Sequence, residues 1–161
     1  MSDRLDQLLT SAEATLADLQ TAADHLTGLA LQFGRQIGDI GQELTLHPEF
    51  APKVREFVER TAPVVRMDSG LSFWIHRVYD AAESRSSEVQ DYMVALAMRS
   101  EIEFFRDLYR NSAAAHRVAG IETDETDQDL KEWSGHQYIT EIPAGIPQSH
   151  VWWYQSRRWP P

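Results

Sequence analysis

From Leu5 onward, apolar residues recur at alternating steps of four and three: Leu5, Leu9, Ala12, Leu16, Leu19, Ala23, Leu26, Ala30, Phe33, Ile37, Ile40 and Leu44. No charged or polar residue occupies a position in that series. An average step of 3.5 residues keeps one stripe of a helix aimed at a neighbouring helix, which is the pattern of a coiled coil. No proline falls between residues 3 and 46, and Pro48 follows soon after; proline removes a backbone donor and ends helices. The spacing therefore predicts one helix over residues 3–46, about 60 Å long. Leu8 and Leu29 flank the stripe and widen it enough for a second neighbour, which favours a bundle over a lone two-stranded coil.

Near the end of that helix Gly34, Gly38 and Gly41 share one face. Each weakens a helix by about 1 kcal/mol against Ala. In return, a face without side chains lets another backbone come close. Gly34 and Gly38 are therefore expected contact points for a partner, with a simple kink as the alternative.

Three further helices are expected. Phe50, Val54, Phe57 and Val58 mark one over 49–61, and "LSFWIHRVYDAAES" marks another over 71–84. Ser87 with Gln90 makes a capping-box pattern ahead of a long helix over 87–118, which Gly120 would stop. That helix is apolar around much of its girth and is expected at the centre. Residues 1–120 thus predict an all-α, elongated helical bundle with two long and two short helices.

Residues 121–161 read as different material. "GIETDETDQDLKEW" is an acidic, solvated linker, and the end "HVWWYQSRRWPP" holds three of the chain's five tryptophans. An extended or hairpin-like aromatic arm is expected there, with "QYITEI" and "SHVWWYQ" as the two strands. Large aromatics left in water form a sticky patch. Trp152, Trp153, Tyr154, Arg157, Arg158 and Trp159 are accordingly the expected partner-binding residues, with folding back onto the bundle as the competing outcome.

A formal net charge of −10 over 161 residues disfavours nucleic acid as a partner, since that affinity rests on Lys and Arg neutralising phosphates. Only Lys53 and Lys131 are lysines among fifteen basic residues; arginine suits fixed ion pairs and interfaces. The chain has no cysteine, which excludes disulfides, thiolate catalysis and thiolate metal sites. The opening "MSDRLDQLLT" is too charged for a signal peptide and no apolar run reaches spanning length. A cytoplasmic protein is expected, without a transmembrane segment; contact with a membrane surface through the arm is a minor option.

Chemistry-bearing patterns are sparse. No Glu-x-x-His, His-Glu-x-x-His or glycine-rich phosphate loop occurs. His76 and Asp80, four apart on one helix, are weak metal candidates. No catalytic residue and no cofactor is expected. The leading expectation is a non-enzymatic interaction protein, a small subunit or adaptor that docks through its seam and aromatic arm onto a protein partner or a second copy of itself. The alternative is a ligand- or metal-binding helical bundle, enzymatic in that case, with a pocket around Trp74, His76, Tyr79, Met93 and Met98 lidded by the arm.

Overall fold

The computed structural model describes residues 2–22, 26–67, 70–139 and 141–158, the side chains of residues 2, 157 and 158 excepted. It is 76% helical with almost no strand, so the all-α expectation holds. The α-helices among the described residues are α1 (Ser2–Thr21), α2 (Leu26–Leu46), α3 (Ala51–Thr61), α4 (Leu71–Ser84), α5 (Val89–Tyr109), α6 (Ala115–Ala119) and α7 (Asp124–Ser134). Single 3-10 turns cover Pro48–Phe50, Ala62–Val64 and Val151–Trp153.

The expected single helix over 3–46 is two helices. α1 and α2 lie against each other, and α1 also meets α3. The stripe does need a partner, and that partner is its own other half. Leu5, Leu9, Ala12, Leu16 and Leu19 of α1 are buried together with Ala30, Phe33, Ile37 and Ile40 of α2; the seam position Ala23 lies outside the described residues. A 60 Å rod would leave that stripe wet, and burial at about 25 cal/mol per Å² outweighs a few lost helical hydrogen bonds. Ion pairs clip the hairpin and its neighbour at the surface, with Arg4 to Glu43 at 2.7 Å and Lys53 to Asp6 at 3.0 Å.

α2 and α5 form the central pair, and α2 also packs on α4. The glycine face of α2 makes that packing close. A Cβ on Gly34 would overlap the Trp74 indole, and one on Gly41 would overlap the Phe104 ring. One on Gly38 would stand 2.9 Å from Cγ of Glu101. Trp74 sits edge-on to Phe33 and Phe105, with ring centroids 6.5 and 5.3 Å away, a favoured aromatic arrangement.

The helix expected over 87–118 also divides, into α5 and α6. At the break Ser112 Oγ donates to the Tyr109 carbonyl (2.7 Å) and accepts from the Ala114 amide (3.1 Å), so a serine side chain takes over backbone partners and turns the chain. The N-cap of α5 is Glu88, without a side-chain cap; just before it Ser86 Oγ accepts from the Glu88 amide (3.1 Å) and donates to Asp91 (2.7 Å), and the expected Ser87 box is not used.

The acidic stretch is a docked helix, α7, rather than a linker. Asp124, Glu125 and Asp127 fill its first turn, where the helix dipole favours negative charge, and Leu130 and Trp133 face inward. They join Ala82, Tyr92, Ala95, Leu96, Ile139, Trp152 and Trp153 in a second apolar cluster. The expected hairpin is absent. Tyr138–Ile139 (β1) instead pairs in parallel with Arg157–Arg158 (β2), and the chain between them returns across the bundle.

The glycine face gives a matched test. Gly28 has nothing within 4 Å of a built Cβ, so Gly28→Ala should stabilise the fold by about 0.5–1 kcal/mol through helix propensity alone. Gly34→Ala and Gly41→Ala gain the same propensity but crowd Trp74 and Phe104; overpacking at about 1–3 kcal/mol should leave both net destabilised. Urea denaturation of the three variants checks the difference in sign.

Candidate functional site

A cleft of about 420 Å³ opens between α2, α4, α5 and the segment 143–153. Leu31, Val94, Ala97, Met98, Phe104 and Ile146 give it apolar walls, and Arg35, Asp39, Arg77 and Glu101 give it charge. Hollows of this size, mostly apolar with a few convergent polar groups, are the usual form of a small-molecule site.

Glu101 is its chemical centre. The residue projects from α5 toward the gap that Gly38 leaves in α2. Its Oε1 accepts the Trp74 indole N–H at 3.2 Å. Burial raises its pKa from 4.5 to about 7; the indole bond and Arg35 pull it down, and Asp39 pushes it up. Near neutrality the carboxyl is thus poised between its two forms, and a carboxyl in this state can donate or accept a hydrogen bond. Burial raises the Asp39 carboxyl as well, against the pull of Arg4 and Arg35.

The cleft's C-terminal wall hangs on one hydroxyl. Ser100 Oγ accepts the indole N–H groups of Trp152 (3.1 Å) and Trp153 (2.9 Å) and lies 2.9 Å from His150 Nδ1. A hydroxyl has two acceptor lone pairs and one proton. With both lone pairs filled by indoles, its proton goes to Nδ1, which places the imidazole proton on Nε2. Burial lowers the His150 pKa from 6.5 to about 4, so the ring is neutral. A serine beside a histidine invites comparison with a nucleophile and its base. Here both oxygen lone pairs are committed, so the pair holds chain to chain. His150 also stacks on Trp152 at 4.8 Å, and the Arg99 guanidinium lies 4.0 Å over the Trp152 ring. Arg99 is itself buried and clamps Asp127 of α7 with bonds of 2.6 and 3.1 Å.

The residues expected to bind a partner are mostly spent inside the chain. Trp152 and Trp153 are 3% and 1% exposed, and the space above Gly34 and Gly38 is filled by Trp74 and Glu101 of the same chain. Tyr154 remains outside at 39% exposure. Trp159 and the side chains of Arg157 and Arg158 lie outside the described residues. His76 and Asp80 are exposed, His76 meets Tyr79 edge-on at 5.8 Å, and among the described residues no group of three or more His, Cys, Asp or Glu could hold a metal ion. The expected pocket around Trp74 and His76 does not form, because Trp74 is fully buried while His76 faces solvent. Met98 and the C-terminal segment do line a cleft, on the other side of α4 from His76. In the sequence Glu101 lies among apolar residues, which marks it as an acid open to burial, but no spacing links Ser100 to His150, fifty positions apart.

Among the described residues no helix is long and apolar enough to cross a membrane. Compared with protein-family models, with curated proteins and with solved structures, the chain matches none.

Two measurements test this centre. Ser100→Ala strands two buried indole N–H groups and the His150 ring nitrogen, so it should cost about 3 kcal/mol or more in denaturant unfolding. Glu101 keeps its proton to about pH 7 when folded but releases it near 4.5 when unfolded. In that window the folded state holds more protons, and stability falls as pH rises. The stability of Glu101→Gln relative to the parent should therefore grow by roughly 3 kcal/mol between pH 4.5 and 7. His150 works in the opposite sense, since the unfolded chain binds the extra proton between about pH 4 and 6.5; stability is lost as pH falls through that range. The parent curve should be flatter than the Gln variant's.

Proposed function

We propose that the protein binds a small organic ligand in the cleft between α2, α4, α5 and the 143–153 segment. The observation that carries this reading is Glu101. One carboxylate oxygen is held by Trp74 Nε1–H, and the other has no hydrogen-bond partner among the described residues. Glu101 is half-buried and this oxygen is not sealed from solvent, so an acid set among apolar side chains keeps one oxygen open to the cleft. This arrangement suits recognition of a polar group on an otherwise apolar molecule. Ala97 lines the cleft and is half-buried, so a larger side chain there occupies the ligand's space. Ligand-observed NMR with a library of small organic molecules should give hits with the parent protein that Ala97→Phe loses while keeping its helical circular dichroism. Equal hits in both proteins, or none in either, would overturn the reading.

A docking role keeps one observation in its favour. Tyr138, Val151 and Tyr154, on the C-terminal stretch, are exposed at 45, 54 and 39%, leaving aromatic and apolar area that a partner could cover. That surface is smaller than the seam and arm on which the docking expectation stood. Light scattering over a concentration range would reveal self-association through it.

A further inference from the structure

Although the chain's formal net charge is −10, the edge of the Glu101 cleft carries two guanidinium groups, Arg35 and Arg77. Both are exposed, and among the described residues neither makes an ion pair or a hydrogen bond. Arg4, Arg60, Arg85, Arg99, Arg106 and Arg110 each meet a carboxylate; Arg55, exposed on α3 away from this cleft, makes no such pair among the described residues. Arg35 also feels the Asp39 and Glu101 carboxyls, and exposed apolar side chains accompany the two cations. Val94, which lines the cleft, is 46% exposed, and Phe73, one turn before Arg77 on α4, is 47% exposed. Inside, the groups around Glu101 are few. α2 brings Arg35 and Asp39, α4 brings the Trp74 donor, and the C-terminal segment brings Pro143, Ile146 and Trp153, which carry no charge.

Resting on the ligand-binding reading, we infer that the cleft takes a monoanionic amphiphile, with its acidic head between Arg35 and Arg77 and its apolar body along Leu31, Met98 and Phe104. Guanidinium groups recognise carboxylate and related acid heads through paired, charge-assisted bonds. The apolar body passes Glu101, which tolerates that neighbour when protonated and not when ionised. Ligand binding and proton retention by Glu101 are therefore linked, and affinity falls as pH rises through neutrality. Asp39, an acid beside Arg35, opposes the head group; Asp39→Asn strengthens binding.

Three ten-carbon probes of different charge separate the outcomes: decanoate, decanol and decyltrimethylammonium, titrated calorimetrically at pH 6. Decanoate should bind about tenfold tighter than decanol, the gain of one charge-assisted contact. Replacing both cations (Arg35→Gln with Arg77→Gln) should remove that advantage and leave decanol unchanged; both side chains are exposed, so folding is spared. Decanoate should weaken between pH 6 and pH 8 with the parent protein and hold steady with Glu101→Gln. Decanol binding as tightly as decanoate, or the ammonium binding tightest, would overturn the anionic class while leaving a ligand cleft in place. Failure of all three probes to bind, or binding that Ala97→Phe leaves intact, would remove the cleft reading together with the ligand class.

Discussion

α2 has to satisfy three neighbours at once, α1, α4 and α5, and everything else in the fold is arranged around how it does so. One set of its residues, Ala30, Phe33, Ile37 and Ile40, is buried in one cluster with the apolar stripe of α1, Phe33 also meeting Trp74 and Phe105. One face carries Gly34, Gly38 and Gly41, which let Trp74 and α5 approach until backbone meets side chain. Because Gly38 lacks a side chain, Glu101 fits between the helices. A larger residue there would push the carboxyl outward into water and return it toward an ordinary acid. The glycine face thus fixes both the closeness of the bundle and the character of its cleft.

The second half of the chain is tied on by a small set of buried polar groups, although Arg99 Nη1 and His150 Nε2 are left without a hydrogen-bond partner among the described residues. Ser100 serves two indoles and an imidazole, and Arg99, the residue before it, serves Asp127 and Trp152. Adjacent positions on α5 therefore fasten α7 and the C-terminal segment together. Buried polar networks of this kind specify one arrangement, since any other leaves several donors without acceptors. The cleft's outer wall is held by the same set of bonds.

Helix positions and the inward stripe could be read from the sequence, because side-chain period is a local property. The reversal between α1 and α2 could not. The stripe continues in phase through residues 22–25, and that stretch contains neither Pro nor Gly; Asp24, a residue type favoured at helix starts, is the one available signal. What bends the chain is the burial of a stripe against itself, a long-range gain that local spacing does not encode. The same holds at the other end. Trp152 and Trp153 announced that they must be covered, and their cover was Ser100 and the second apolar cluster of the same chain. Ser112 ended α5 through a side chain that periodicity treats as neutral. Glu101 was visible as an acid among apolar residues, whereas its cleft required knowing which helix faces it.

A ribosome makes Ser100 long before it makes the residues that bind it. His150 lies fifty positions later, and Tyr92 and Leu96 wait at least as long for the tryptophans of their cluster. Until then the nascent chain has helices and a first core but an unfinished side wall, so the hollow around Glu101 comes into being only when synthesis has passed Trp153. Any chain broken off earlier would display greasy surface that chaperones and proteases recognise. Possession of the cleft is in this way a certificate that translation has passed Trp153.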